Sequence, residues 1–170
     1  MSDLATLQDR LGCKFRDENL LRLALTHPSV AHESGVAIAH NQRLEFLGDA
    51  VLQLILTQKL YEQFPDSGEG PLTKARAKLV NRRALAERAR SLGLGEHLVL
   101  SRGEETHGGR ERPSTLADAF EALLGAVFLD GGFETAREFV LREFSAALDP
   151  TPVSGAPTIE NPKGELQELL

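Results

Sequence analysis

The sequence predicts an all-α domain of about seven main helices. Three observations carry that expectation. Apolar residues recur at the three- and four-residue spacing of a helix face, and nowhere do they alternate with polar ones as a half-buried strand requires. Glycine, proline and short polar clusters punctuate the chain at helix-length intervals. One stretch, Asn41 to Leu56, spreads Leu44, Phe46, Leu47, Val51, Leu52, Leu54, Ile55 and Leu56 around nearly the whole circumference of a helix, as in a segment buried within a core. With 170 residues and 41% hydrophobic content, the chain is long enough for one domain with a sizeable core.

In order, Asp3 to Leu11 is a short amphipathic helix ended by Gly12. Asp17 caps a second, Glu18 to Thr26, whose apolar side is Leu20, Leu21, Leu23 and Leu25; His27, Pro28 and Ser29 close it. Ala31 to His40 reads as a loop, with His27, His32 and His40 around it as surface or core-edge residues. Asn41 is a suitable N-cap for the central helix, which runs to about Gln63 and stops at Phe64, Pro65 and the turn-rich DSGEGP, where Glu69 lies. Pro71 suits the first position of a helix over Leu72 to Asn81, and Arg83 to Leu92 forms the next. Glu96 to Ser101 reads as a helical turn and Arg102 to Arg112 as a loop. Leu116 to Asp130 is the second interior helix, stopped by Gly131 and Gly132, and Phe133 to Leu148 is the last, with Phe133, Ala136, Phe139, Val140 and Phe144 inward. Residues 1–149 then form one domain, 150–160 a Pro/Ser/Thr/Gly linker, and 161–170 the truncated start of another unit.

Acids inside the two apolar helices suggest chemistry. Glu45 and Asp49 stand at i, i+4, and Asp118 and Glu121 at i, i+3, so each pair shares a helix face. Arg43 is the only nearby cation in the first helix. Gly48 and Gly125 each cost roughly 1 kcal/mol against alanine in a helix interior, which implies a close neighbour, the other helix. Packed together, the two helices converge four carboxylates, and each unpaired buried charge costs on the order of several kcal/mol unless a cation lies between them. One acidic pair alone is read more simply as solvated helix ends; two pairs in matching apolar settings favour a metal. An oxygen-only ligand set suits Mg²⁺, with Mn²⁺ as substitute. A di-iron bundle is disfavoured, since its Glu-x-x-His pairs meet Gly48 and Leu124 here.

The net charge of −6 is unevenly spread. Between Lys74 and Arg90, seven basic residues (Lys74, Arg76, Lys78, Arg82, Arg83, Arg88 and Arg90) face the single acid Glu87. Beside an acidic metal site, such a stripe suits a phosphodiester: it holds the backbone while the cation screens the acids. A solvated helix face is the plainer reading. The lone Cys13 excludes an internal disulfide framework and points to a reducing cytoplasm. No apolar run reaches about 18 residues, and the N-terminus lacks the pattern of a leader, so a soluble protein without a membrane partner is expected. No organic cofactor is implied.

NQRLEFLGDAVL (41–52) closely resembles the signature of the ribonuclease III family, and LADAFEALLGAVFLDGG (116–132) resembles its second acidic motif. GEE at 103–105 and the FPDSGEG loop also fall where family members carry acids. NPKGELQELL, at the end, resembles the opening of the double-stranded RNA-binding domain that follows the nuclease domain in bacterial members. The resemblance implies the helical endonuclease fold and an Mg²⁺-dependent endoribonuclease that cuts double-stranded RNA to 5'-phosphate and 3'-hydroxyl ends, in rRNA and other RNA processing. It implies Glu45, Asp118 and Glu121 as direct metal ligands, Asp49 acting through water, and Asp49 and Glu121 as catalytic. It further implies auxiliary acids at Glu69 and Glu104 and a homodimer in which Phe46 plugs a socket on the partner subunit, while the basic stripe offers RNA contacts by Lys74, Arg76, Lys78 and Arg82. Gln42 departs from the pattern, standing where many members have Glu; an amide brings no charge to that auxiliary position. Two alternatives stand beside this reading: a non-cleaving RNA-binding member of the same fold, which would be expected to lose acids from the cluster, and a helical metal-binding protein unrelated to RNA.

Overall fold

The computed structural model describes residues 4–35 and 37–149. The linker and the second-domain start expected over 150–170 lie outside them. Ten α-helices follow one another: α1 (Leu4–Leu11), α2 (Glu18–Ala24), α3 (Ser29–Ser34), α4 (Gln42–Gln63), α5 (Glu69–Val80), α6 (Arg82–Ser91), α7 (Leu94–His97), α8 (Arg102–Thr106), α9 (Pro113–Glu143) and α10 (Ser145–Leu148), with a 3-10 turn at Gly109–Glu111. There is no strand among the described residues beyond a single parallel bridge, Thr26 to Val99. The all-α expectation holds, and the count exceeds seven because short helices form at α3 and α8, where loops were expected, and at α7 and α10, while the two expected helices around Gly131 and Gly132 run together as α9.

The two longest helices, α4 and α9, form the main axis of the core, and α6 and α2 pack on α9. What lets α4 and α9 approach so closely is the absence of two side chains. A Cβ on Gly48 would lie 1.7 Å from the Glu121 carbonyl oxygen, and one on Gly125 would lie 2.3 Å from that of Leu44. The helices therefore cross backbone against backbone, as the two interior glycines implied. Ala122 and Ala126, both fully buried, continue the small-residue seam. Gly132, at φ 82°, kinks α9 at the glycine pair where the sequence places a stop; only glycine takes that conformation at little cost. Beyond the kink Phe139 and Phe144 turn inward onto Phe120, at ring separations of 6.0 and 6.2 Å.

Several local expectations change. Residues 29–34 are helical rather than loop. The Asn41 side chain does not cap α4: its backbone is already helical, and its buried amide donates to the Ala24 carbonyl at 3.2 Å, tying α2 to the start of α4. Helix α5 begins at Glu69, so Glu69 stands in a first turn and Pro71 at the third position, where its missing N–H still removes no helical bond. The segment 102–112 is not a bare loop: Ser101 caps α8 by accepting the Glu104 N–H, and Arg110 anchors the segment on the Gly95 and Leu98 carbonyls at 2.8 and 2.7 Å. Helix α4 is not buried all round. Phe46 is 81% exposed, with Leu54 and Tyr61 also open on the same side of the helix.

Candidate metal centre

The α4–α9 crossing decides where the acids meet. Glu45 lies beside Leu44 and Gly48 at the contact, while Glu121 is the residue whose carbonyl touches Gly48 and Asp118 stands one turn earlier on α9. Glu45, Asp118 and Glu121, all half-buried, each offer a carboxylate oxygen within 4.8 Å of the others. Asp49 lies outside this triad, one turn along α4, and accepts a hydrogen bond from Gln53 Nε2 at 3.3 Å.

Electrostatics shows how costly the cluster is when bare. Burial, then the charges of Asp49, Glu45 and Asp118, push the Glu121 carboxyl up from 4.5 to about 8. Glu45 is raised by burial, then by Asp118 and Asp49. Asp118 is raised by burial, against the opposing pull of Arg82 and His27. No ion pair from a Lys or Arg reaches Glu45, Asp49, Asp118 or Glu121 among the described residues. Three converging oxygens, mutual repulsion and no covering cation fit a hard divalent ion.

The other candidate residues separate by place. Glu104 is mostly buried, ion-paired with Arg112, and close enough to act on His27. Gln42 is exposed at the start of α4. Glu69 is exposed, accepts from Thr73 Oγ1 at 3.0 Å, and lines a groove of roughly 750 Å³ with Thr57, Tyr61, Phe64, Leu72 and Arg76. That groove starts at Thr57, about 18 Å along α4 from Glu45 at 1.5 Å per residue, so within one chain Glu69 is remote from the triad.

The basic stripe divides. Lys74, Lys78 and Arg82, spaced by four, are exposed and make no ion pair among the described residues. Arg76 turns to Thr57 Oγ1 at 2.8 Å on the groove side. Arg88 is drawn inward to stack at 3.8 Å over Phe144, while Arg83 pairs with Glu87 and Arg90 with Glu111.

Sequence reasoning did not foresee two groups coming beside the acids: His27, and Arg82, which it read only as an RNA contact. It set His27 aside, yet His27 lies within electrostatic reach of Asp118 and Glu104, its own pKa lowered chiefly by burial. It named Arg43, which is exposed, whereas Arg82 is the cation that acts on Asp118. Neither proximity has a local signature, because both span α9 and distant elements.

Fold and site together define a class: an all-helical domain with a carboxylate triad that fits a divalent cation and a separate basic face. The family model described as Ribonuclease-III-like matches residues 17–148. Among curated relatives, the protein called Ribonuclease 3 from Desulforamulus reducens is 55% identical over 96% of this chain, and that from Mycobacterium tuberculosis is 51% identical over 96%. The chain spans 66% and 68% of their respective lengths. Among solved structures, the nuclease domain of ribonuclease III from Campylobacter jejuni, studied for structural flexibility in a region involved in dimer formation, superposes with a TM-score of 0.80 at 44% identity, covering 85% of this chain and 97% of that one. Dicer from Pichia stipitis matches with a TM-score of 0.60 at 26% identity, covering 91% of this chain and 67% of that one. The chain belongs to the ribonuclease III family of endoribonucleases.

Proposed function

We propose that this chain is a divalent-metal-dependent endoribonuclease that cuts double-stranded RNA to 5'-phosphate and 3'-hydroxyl ends, in rRNA and other RNA processing in the cytoplasm, as a homodimer. The observation that carries this reading is the triad: three carboxylate oxygens within 4.8 Å of one another, two of them on one turn of α9 and one across the glycine crossing on α4. Glu45, Asp118 and Glu121 would hold Mg²⁺, or Mn²⁺ in its place. Bound there, the ion supplies Lewis acidity and a water of lowered pKa for in-line attack on phosphorus. Asp49 orients water from one turn away, and its charge disfavours a second negative group unless a cation is present. Arg82, which acts on Asp118, and the exposed Lys74 and Lys78 together bind phosphate as a positively charged track. Duplex preference follows from shape rather than base reading.

The dimer rests on the open side of α4. Phe46 lies eight residues before Leu54, and Tyr61 seven after it. Two α4 helices packed antiparallel about Leu54 would seat Phe46 in the partner's groove, the socket whose rim includes Tyr61, Phe64 and Leu72. The same pairing brings Glu69, remote within its own chain, toward the partner's triad, which gives it and Gln42 a place as auxiliary groups. Glu104 serves by holding Arg112 rather than by reaching the cation.

The test is incubation of labelled RNA duplex with the protein, with and without Mg²⁺, beside Glu121→Gln. Metal-dependent cutting by the parent and none by the variant support the nuclease. Duplex binding without cutting by either supports a non-cleaving member of the fold.

A further inference from the structure

We propose that Asn41 is a positioning residue of the centre: it pins the first turn of α4 to the end of α2 and so holds Glu45 in register with Asp118 and Glu121. This rests on Glu45 being a metal ligand. The last carbonyls of a helix have no partner within it, and those at the end of α2 are met from outside. The Asn41 side-chain amide donates to the Ala24 carbonyl at 3.2 Å, and the Asn41 backbone N–H donates to that of Thr26 at 2.9 Å. The Asn41 carbonyl in turn accepts the Glu45 N–H at 2.9 Å. One residue thus joins α2 to the turn that carries Glu45, through three hydrogen bonds of ordinary length.

Helix α2 is itself seated on α9, because Ala24 packs with Leu44 of α4 and with Ala122 and Ala126 of α9. Ala122 follows Glu121 directly. The contacts therefore close a ring, from Glu45 through Asn41 and Ala24 to Ala122, and back across the triad. The glycine crossing sets how closely α4 and α9 approach, and the Asn41 bonds fix where the first turn of α4 stands within that crossing. The turn needs such a hold. It has no side-chain cap, and its acid shares a cluster with Asp118 and Glu121, whose like charges work to fray it. Asparagine at a helix start ordinarily caps its own helix; here, 2% exposed, it is committed to α2 instead. Stability at the start of α4 is given up for position.

Gln63, at the other end of α4, supplies a matched control. Its amide likewise donates to a carbonyl of another helix, that of Leu148 at 2.6 Å, and both Gln63 Oε1 and Asn41 Oδ1 are buried without a hydrogen bond. It stands about 27 Å along the helix from Glu45 at 1.5 Å per residue. Calorimetric titration of the full chain with Mn²⁺ is the readout, with helicity and melting in chelator beside it. Asn41→Ala and Gln63→Ala each lose one amide-to-carbonyl bond, and both are expected to keep the parent's helicity and melt about 3 to 8 °C below it. Asn41→Ala is expected to bind Mn²⁺ at least about 10-fold more weakly than the parent, the scale for losing a group that orients a ligand, and Gln63→Ala within about threefold of it. Asn41→Ser is the milder variant: its hydroxyl keeps the site polar but falls short of Ala24, so the same loss of affinity is expected. Affinity like the parent's in the Asn41 variants, or equal weakening in Gln63→Ala, overturns the proposal, as does failure of both Asn41 variants to fold. A parent that binds no Mn²⁺ overturns it together with the metal reading beneath it, and is recognised from the parent titration alone.

Discussion

Glu121 is the residue on which repulsion concentrates, since burial and three neighbouring acids act on it together. Its carboxyl, raised from 4.5 to about 8, means that the ion-free fold keeps a proton that the unfolded chain releases. For an acid shifted in this direction, the stabilisation is complete below about pH 4.5 and is lost as pH rises through about 8. Glu121→Gln keeps the shape without the charge. In chelator, its melting temperature is therefore expected to exceed the parent's by a margin that widens between pH 5 and pH 8.5, each kcal/mol corresponding to about 3 °C for a chain of this size. A margin that stays constant or shrinks with pH counts against this electrostatic account. Added Mn²⁺ should raise the parent's melting temperature more at pH 8 than at pH 6 and leave the variant's nearly unchanged, because the bound ion replaces the proton.

At the scale of elements, the crossing of α4 and α9 positions everything else. Gly48→Ala would place a methyl 1.7 Å from a backbone carbonyl that has no side-chain freedom to retreat. The helices must then separate, at a cost of about 3 kcal/mol or more and a fall in melting temperature of roughly 10 °C, with the triad pulled apart. A Gly48→Ala protein that melts and cuts like the parent contradicts the close crossing. This crossing was legible in the sequence, because a glycine inside each of two apolar acidic helices has few explanations besides backbone contact. The stop at Gly131 and Gly132, found as a kink, was legible for a similar reason. The helical turns at 29–34 and 102–106 were not read, although Ser101 and Glu104 carry the local spacing of a helix start; the anchoring of Arg110 on the Gly95 and Leu98 carbonyls, by contrast, has no local signature. Arg88 misled in the same way: it reads as part of a solvent-facing stripe but stacks on Phe144, 56 positions away in the chain. Of the site, the acids were readable from spacing and apolar context, whereas His27 and Arg82 come to Asp118 only through folding.

For the whole molecule, the open face of α4 is the main unsatisfied surface. Phe46, Leu54 and Tyr61 are large, apolar and exposed along one helix, a pattern that marks an interface when contiguous. Phe46→Ala is expected to weaken self-association by about 30-fold, the effect of losing one central aromatic anchor, while leaving the monomer's helicity unchanged. Sedimentation across a concentration series reads this directly, and equal association of parent and variant would remove Phe46 from the interface. The polarity of the molecule makes a second demand: removing the charges of Lys74 and Lys78 should lower duplex affinity and reduce its steepness with salt by about two charges' worth, with Mn²⁺ affinity unaffected. A change in metal affinity with RNA binding intact would reverse the assigned division between basic face and acidic centre. The central claim, that one divalent ion sits between α4 and α9, is tested most directly by anomalous diffraction from a crystal soaked in Mn²⁺. The account predicts a peak bonded at roughly 2.1 Å to oxygens of Glu45, Asp118 and Glu121; a well-occupied peak elsewhere on the chain, with none at these three residues, would contradict it.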